Sequence, residues 1–328
     1  MDQYSAPGSG APPNLSPPPI APQVAQPQPV TPPRRSDKRR GFGCILVAIL
    51  ALFGCVAVIA VAAALVWTGT TDVLTAGAML ADGSDQKVLE EIIQGAVLET
   101  EKKVAVIDVK GIILPGGGFD MAGSRRISYE LSAARRDPNV VAIVLDMDTP
   151  GGEVTASDEI HRDVRKCSKA GIPVVTCMRS IGASGGYFVA AGSDWIIASR
   201  LTITGSIGVI ISTTNYSGLF EKVGIEAEVY KSGQMKDMLR GSRVRTDMER
   251  AYVQSLVDDT FREFATVVAN GRTRYDTAED VMQSEFGDGR IVTGAEALRL
   301  GLVDQLGYFE DALAKAKELA NTPVAKVV

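Results

Sequence analysis

The chain has 328 residues, a net charge of −5, a single histidine and four cysteines. That length holds one to three domains, and the mild acidity excludes the strongly basic footprint of a nucleic-acid-binding protein. The cysteines form no CxxC or Cys/His cluster, which excludes the usual zinc-ligand spacing, so no metal and no cofactor is expected.

Residues 1–33 carry 11 of the 16 prolines, mixed with Ser, Gln, Ala and Gly. Such a segment cannot bury enough apolar surface to offset chain entropy, so residues 1–40 read as a disordered tail ending in the basic run RRSDKRR. Phe42 to Trp67 follows, 26 residues without a charge. At the helical rise this spans about 39 Å, enough to cross a hydrocarbon core about 30 Å thick. Residues 41–67 therefore read as a transmembrane helix, and the Lys/Arg residues before it place the N-terminus in the cytoplasm. The long tail upstream and the length of the apolar run argue against a cleaved signal peptide. The tail to residue 41 holds five basic and two acidic residues, which leaves the remainder at −8, an acidic domain on the outer side of a cell membrane.

Residues 68–102 read as a linker and a helix, the latter in QKVLEEIIQGAVLE. From 103 onward strand and helix patterns alternate: a strand over 104–113, an amphipathic helix over 127–137, and a strand over 140–147 apolar enough to be buried on both faces. A helix over 155–170, with Thr155 or Ser157 near its cap, and a strand over 172–178 complete the run. This order predicts an α/β domain over 103–328 with a parallel sheet and right-handed crossovers. The run IEAEVY at 225–230 is strand-like, and LTITGSIGV at 201–209 reads as a tight turn entering a strand. Cys167 and Cys177 read as buried small hydrophobes.

Four segments could carry chemistry. Asp148-Thr149-Pro150-Gly151-Gly152 follows the strand at 140–147, where open parallel sheets place their sites. Its two glycines can expose backbone N–H groups to a developing oxyanion. Ser180–Tyr187 follows the next strand, with Ser184 in a small-residue turn ahead of an apolar helix. There Ser184 is a candidate nucleophile, or simply a helix cap. A serine hydroxyl needs a base. The lone histidine, His161, lies on the predicted helix at 155–170 and reads as a packing or surface residue. Lysine can serve once its surroundings favour the free amine. Lys231 and Lys236 both lie in YKSGQMKDM, and composition does not choose between them. TITGSIG reads as a support for the Ser184 turn.

Together, TPGGEV, ASGGYFVAAGSDWIIAS, TGSIGVI, YKSGQMKD and GRIVTGAEALRLGLVDQLG resemble the signal peptide peptidase A family of Ser/Lys peptidases, in order and spacing, from about residue 103 to 320. The resemblance implies a crotonase/Clp-protease ββα superhelix, with Ser184 as nucleophile and Lys236 rather than Lys231 as base. It also implies Gly152 and Gly185 as oxyanion donors. It further implies a membrane-anchored serine endopeptidase acting on apolar peptides such as remnant signal peptides. Short single-anchor members form octameric rings in which serine and lysine come from neighbouring subunits, so a homo-oligomer is expected. The Pro-rich tail and Gly241, where a proline often follows the lysine segment, depart from the family pattern. A crotonase-like acyl-CoA enzyme and a non-catalytic membrane scaffold are the rival readings. The first would need acidic catalytic residues and a cytosolic location.

Overall fold

The computed structural model describes Glu91, residues 100–116 and residues 121–328, all within one compact unit that runs from Gln86 to Val328. The expected tail, the apolar span at 41–67 and the helix before residue 100 lie outside the described residues. Among the described residues no helix is long and apolar enough to cross a membrane.

The first strands are β1 (Lys103–Lys110), β2 (Ile112–Leu114) and β3 (Met121–Gly123), followed by helix α1 (Ser124–Arg136). The single strand expected over 104–113 is thus two, broken at Gly111, whose φ of +79° a glycine adopts freely. Next come β4 (Val140–Thr149), α2 (Val154–Lys169), β5 (Val174–Ala183) and the short helix α3 (Gly185–Ala190). The cap of α2 is neither Thr155 nor Ser157. Glu153 fills that role, its carboxylate accepting from the Thr155 and Ala156 amides and so satisfying donors that a helix start leaves unpaired. Then follow β6 (Trp195–Ala198) and β7 (Ile203–Gly205), and beyond them α4 (Ser217–Val223) and a 3-10 turn at Gln234–Asp237. The domain closes with α5 (Asp247–Gly271), α6 (Ala278–Met282), β8 (Ile291–Thr293), α7 (Gly294–Leu300), β9 (Gln305–Leu306), α8 (Phe309–Leu319) and β10 (Lys326–Val327).

The main sheet has the order β10-β1-β4-β5-β6-β9, with every neighbouring pair parallel. Side chains alternate across a strand, so a sheet covered on both faces needs apolar residues at consecutive positions. In β4, Ile143, Leu145 and Met147 enter the core shared with α1, α2 and α5, whereas Ala142 and Val144 enter a second core under α8. Cys167 lies in the first core and Cys177 in the second, and both are buried free thiols. Burial pushes the Cys177 thiol up to about 12 and the Cys167 thiol up to about 11. Both therefore stay protonated at neutral pH and behave as the small hydrophobes expected.

β5 serves two partners along its length. Val175–Met178 pairs with β6, while Ile181–Ala183 pairs with β7, which in turn runs antiparallel to β8. A register shift between Met147 and Thr149 brings Thr149 opposite Gly182 in the second half of β5. Beyond it Gly152 bridges to Ile113 of the small β2–β3 sheet. Toward its carboxyl end β5 thus changes partner from β6 to β7, the turn after β4 bridges to β2, and the two glycine segments meet there.

Two strand expectations are corrected. Within 201–209 the strand, β7, lies at Ile203–Gly205 and does not continue through Ser206–Val209, and 225–230 carries no ladder. The alternation of IEAEVY fits a strand, but Ile225 and Tyr230 are exposed and have no sheet to join.

Candidate active site

Ser184 sits between β5 and α3 with φ +53° and ψ −123°. Few residues other than glycine hold such a conformation, and its cost is about 1–3 kcal/mol. Two backbone bonds hold it: the Ser184 amide donates to the Gly205 carbonyl at 2.9 Å, and its carbonyl accepts from the Phe188 amide at 2.9 Å. Its side chain makes no cap hydrogen bond, so the hydroxyl is left to other work.

The glycine turn after β4 lies directly against it. Gly151 has φ +95°, and a Cβ there would come within 2.5 Å of the Gly185 nitrogen and 3.0 Å of the Ser184 Cβ. A Cβ on Gly185 would stand 3.1 Å from the Gly152 nitrogen. Among the described residues the Gly152 and Gly185 amides donate to no acceptor. Two unspent N–H donors thus converge beside a half-buried serine, an arrangement suited to negative charge developing on a carbonyl oxygen.

Thr149 fixes the turn that presents them. It is fully buried; its hydroxyl donates to the Gly111 carbonyl at 2.5 Å and accepts from the Gly151 amide at 3.1 Å. Thr149→Val keeps the shape but removes both bonds. We expect it to lose about 1–3 kcal/mol in urea unfolding, with Thr149→Ser retaining most of that.

Ser184 lies between two hollows. One, of about 630 Å³, is lined by Gly152, Gly185, Phe188 and Val154, with Phe264 and Val267 from α5. The other, of about 370 Å³, is lined by Ser206, Val257 and Phe261. Both border Gly208–Ile210. Residues 207–215 make no backbone hydrogen bond among the described residues and carry no secondary structure. They leave an open row of peptide groups beside Ser184.

His161 plays no part in this arrangement. Its Nδ1 lies 3.1 Å from the Phe188 carbonyl, and its ring meets Phe188 edge-on at 5.3 Å between centroids. Burial lowers its pKa, and it makes no hydrogen bond to Ser184, so a Ser-His pairing is absent.

The two candidate lysines differ. Lys231 Nζ is held by Asp237 Oδ1 at 2.7 Å and by the Gln234 carbonyl at 3.0 Å. Lys236 is exposed, its side chain makes no hydrogen bond or ion pair among the described residues, and it borders neither hollow beside Ser184. The structure therefore brings Ser184, Gly152 and Gly185 together and leaves Lys236 outside that group within one protomer. Among the described residues no three His, Cys, Asp or Glu side chains are grouped to hold a metal.

The sequence reading missed Thr149, Glu153 and Arg243. Thr149 stood inside a motif already singled out, as the only hydroxyl residue there. Arg243 gave no signal beyond lying six positions from both Asp237 and Glu249.

Comparison with known proteins gives the family. The profile of Peptidase family S49 matches residues 166–323. A protein of Enterococcus faecium named "Putative signal peptide peptidase SppA" is 37% identical over 251 residues, covering 75% of this chain and 71% of that protein. "Protease 4" of Haemophilus influenzae is 31% identical over 67% of this chain, which spans only 35% of that longer protein. A solved structure of a point mutant of the "1510-N membrane-bound stomatin-specific protease" aligns with a TM-score of 0.42 at 20% identity, over 67% of this chain and 86% of that one. A mixed α/β sheet fold with a serine at the carboxyl end of a parallel strand thus comes with peptidase relatives, and the class is that of a serine protease. The chain belongs to Peptidase family S49.

Proposed function

We propose that the chain is a membrane-anchored Ser/Lys endopeptidase that cleaves apolar peptides, such as remnant signal peptides, on the outer side of the membrane. The observation that carries this reading is Ser184 itself. An uncapped hydroxyl is held in a costly backbone conformation, between two hollows and beside the free Gly152 and Gly185 amides. In the proposed reaction Ser184 Oγ attacks the peptide carbonyl and a neutral Lys236 takes the hydroxyl proton. The Gly152 and Gly185 N–H groups hold the oxyanion. Lys236 returns the proton to the leaving amine, and water then releases the acyl group.

Three further features support the reading. The unpaired backbone along 207–215 suits an extended peptide laid beside it as an added strand. The change of partner along β5, from β6 to β7, fits a ββα superhelix. The segment that carries Lys236 is also rich in exposed apolar residues: Ile210 is 89% exposed, Leu219 59%, Val223 58% and Tyr230 91%, and α4 has no buried residue. Such a surface suits contact with a second copy. Accordingly, in this proposal Lys236 reaches the Ser184 of a neighbouring copy in a homo-oligomeric ring, anchored by the apolar span at 42–67 with the tail in the cytoplasm.

The test is cleavage of an apolar reporter peptide by the full-length protein in detergent or vesicles. Wild type should turn over and react with a serine-directed covalent probe, whereas Ser184→Ala should do neither. Equal cleavage by both would end the proposal.

A further inference from the structure

Arg243 fastens the turn that carries Lys236 to the start of α5. Arg243 Nε donates to Asp237 Oδ2 at 2.8 Å, and its Nη2 donates to Asp237 Oδ1 at 2.7 Å. The other edge of the same guanidinium meets Glu249, with Nη1 donating to Oε2 at 2.9 Å and Nη2 to Oε1. Glu249 is 3% exposed and belongs to the first turn of α5, where it closes a capping box with Thr246. Farther along, α5 supplies Phe264 and Val267 to the hollow beside Ser184. Arg243 therefore ties the neighbour of the proposed base to the start of a helix that walls the cleft.

Electrostatics give the clamp a second task. Asp237 is next to Lys236 in sequence, and a free carboxylate there would attract the Lys236 ammonium and favour the charged form, which cannot act as a base. The other charged groups of this region are Lys231 before the turn, Arg240 and Arg245 after it, and Glu249 and Asp247 on α5. The acidic members are all engaged: Asp237 by Arg243 and Lys231, Glu249 by Arg243, and Asp247 by Arg250 at 3.5 Å. Arg243, then Lys231, holds the Asp237 carboxyl far below the usual carboxylate range, and Arg243 with the Thr246 amide holds Glu249 down to about 2. Both carboxylates thus remain charged, and remain spent on these partners, throughout the working pH range.

We propose that Arg243 is a positioning residue for the general base. It fixes the Lys236 turn to α5 and occupies the Asp237 carboxylate, so that Asp237 cannot pair with Lys236. The inference rests on the proposed role of Lys236 and adds how that amine is kept free. A fork-shaped guanidinium can bridge two carboxylates at once, which a single ammonium cannot do with the same geometry.

The test is the pH profile of kcat/KM for the full-length protein. A base that must be neutral gives activity that rises with pH, so a stronger hold on its proton moves the midpoint upward. Arg243→Gln leaves Asp237 held by Lys231 alone, frees its Oδ2 and removes a nearby cation; its midpoint should rise by about one pH unit, with activity recovering at high pH. Asp237→Asn leaves Arg243 in place with one carboxylate fewer, so its midpoint should fall. The double variant should lie between them. Opposite shifts support the proposal. An Arg243→Gln profile with an unmoved midpoint and a uniformly lower plateau would show a merely structural role and overturn it, as would shifts of the same sign. If Arg243→Gln does not fold, the direction of the Asp237→Asn shift decides alone. A Lys236→Ala protein that still turns over refutes the base itself, an outcome separate from unmoved profiles with Lys236→Ala inactive.

Discussion

Lys236→Ala should abolish turnover, with a loss of about a thousandfold or more in kcat, because a serine hydroxyl without a proton acceptor is a poor nucleophile. Lys231→Ala should retain most activity, since the Lys231 ammonium is already held by Asp237 and the Gln234 carbonyl. The informative version of the experiment mixes chains. Ser184→Ala and Lys236→Ala proteins, each inactive alone, are denatured and reassembled together. If each site joins the serine of one copy to the lysine of the next, random co-assembly in a ring restores roughly a quarter of the wild-type sites. Activity that fails to return at any mixing ratio, with both chains folded and assembled, would mean that the two side chains work within one protomer.

Gly151→Ala should be nearly as damaging, although Gly151 takes no part in the reaction. Its φ of +95° is already unfavourable for alanine, and the added methyl would stand 2.5 Å from the Gly185 nitrogen and 2.8 Å from the Ala183 carbonyl. Both neighbours are backbone on either side of Ser184, so neither yields by rotating a side chain. Relief requires the turn after β4 to swing away from α3, which parts the Gly152 amide from the Gly185 amide. Loss of one oxyanion donor costs about a hundred- to a thousandfold in kcat, so kcat should fall by that order while KM changes little. The strain itself should destabilise the fold by about 1–3 kcal/mol. A Gly151→Ala enzyme with normal kcat would show that the two amides do not act together.

Much of this fold could be read from residue pattern, and the reason is visible in β4. A strand covered on both faces must be apolar at consecutive positions, and Val140–Leu145 is. The helices at 124–136 and 154–169 were legible from their periodicity to within a few residues. Partners were harder. Nothing in the run from Val174 to Ala183 says that its first half pairs with one strand and its second half with another, because periodicity reports a face and not a neighbour. IEAEVY failed for the same reason: alternation without a vacant sheet edge makes no strand. At the site, the glycine turns and Ser184 stood out by residue type alone. Lys231 and Lys236 could not be separated by composition, since what distinguishes them is the ion pair that Lys231 makes with Asp237. The clamp through Arg243 was invisible because its two carboxylates belong to different elements.

Ser184 occupies a spot where glycine would be the thermodynamically contented choice. A sturdier protein is therefore a single substitution away, and that protein would be inert. Any campaign that ranks variants of this chain by melting temperature alone will drift toward losing its chemistry at residue 184, and only a screen that also scores turnover will hold the serine in place.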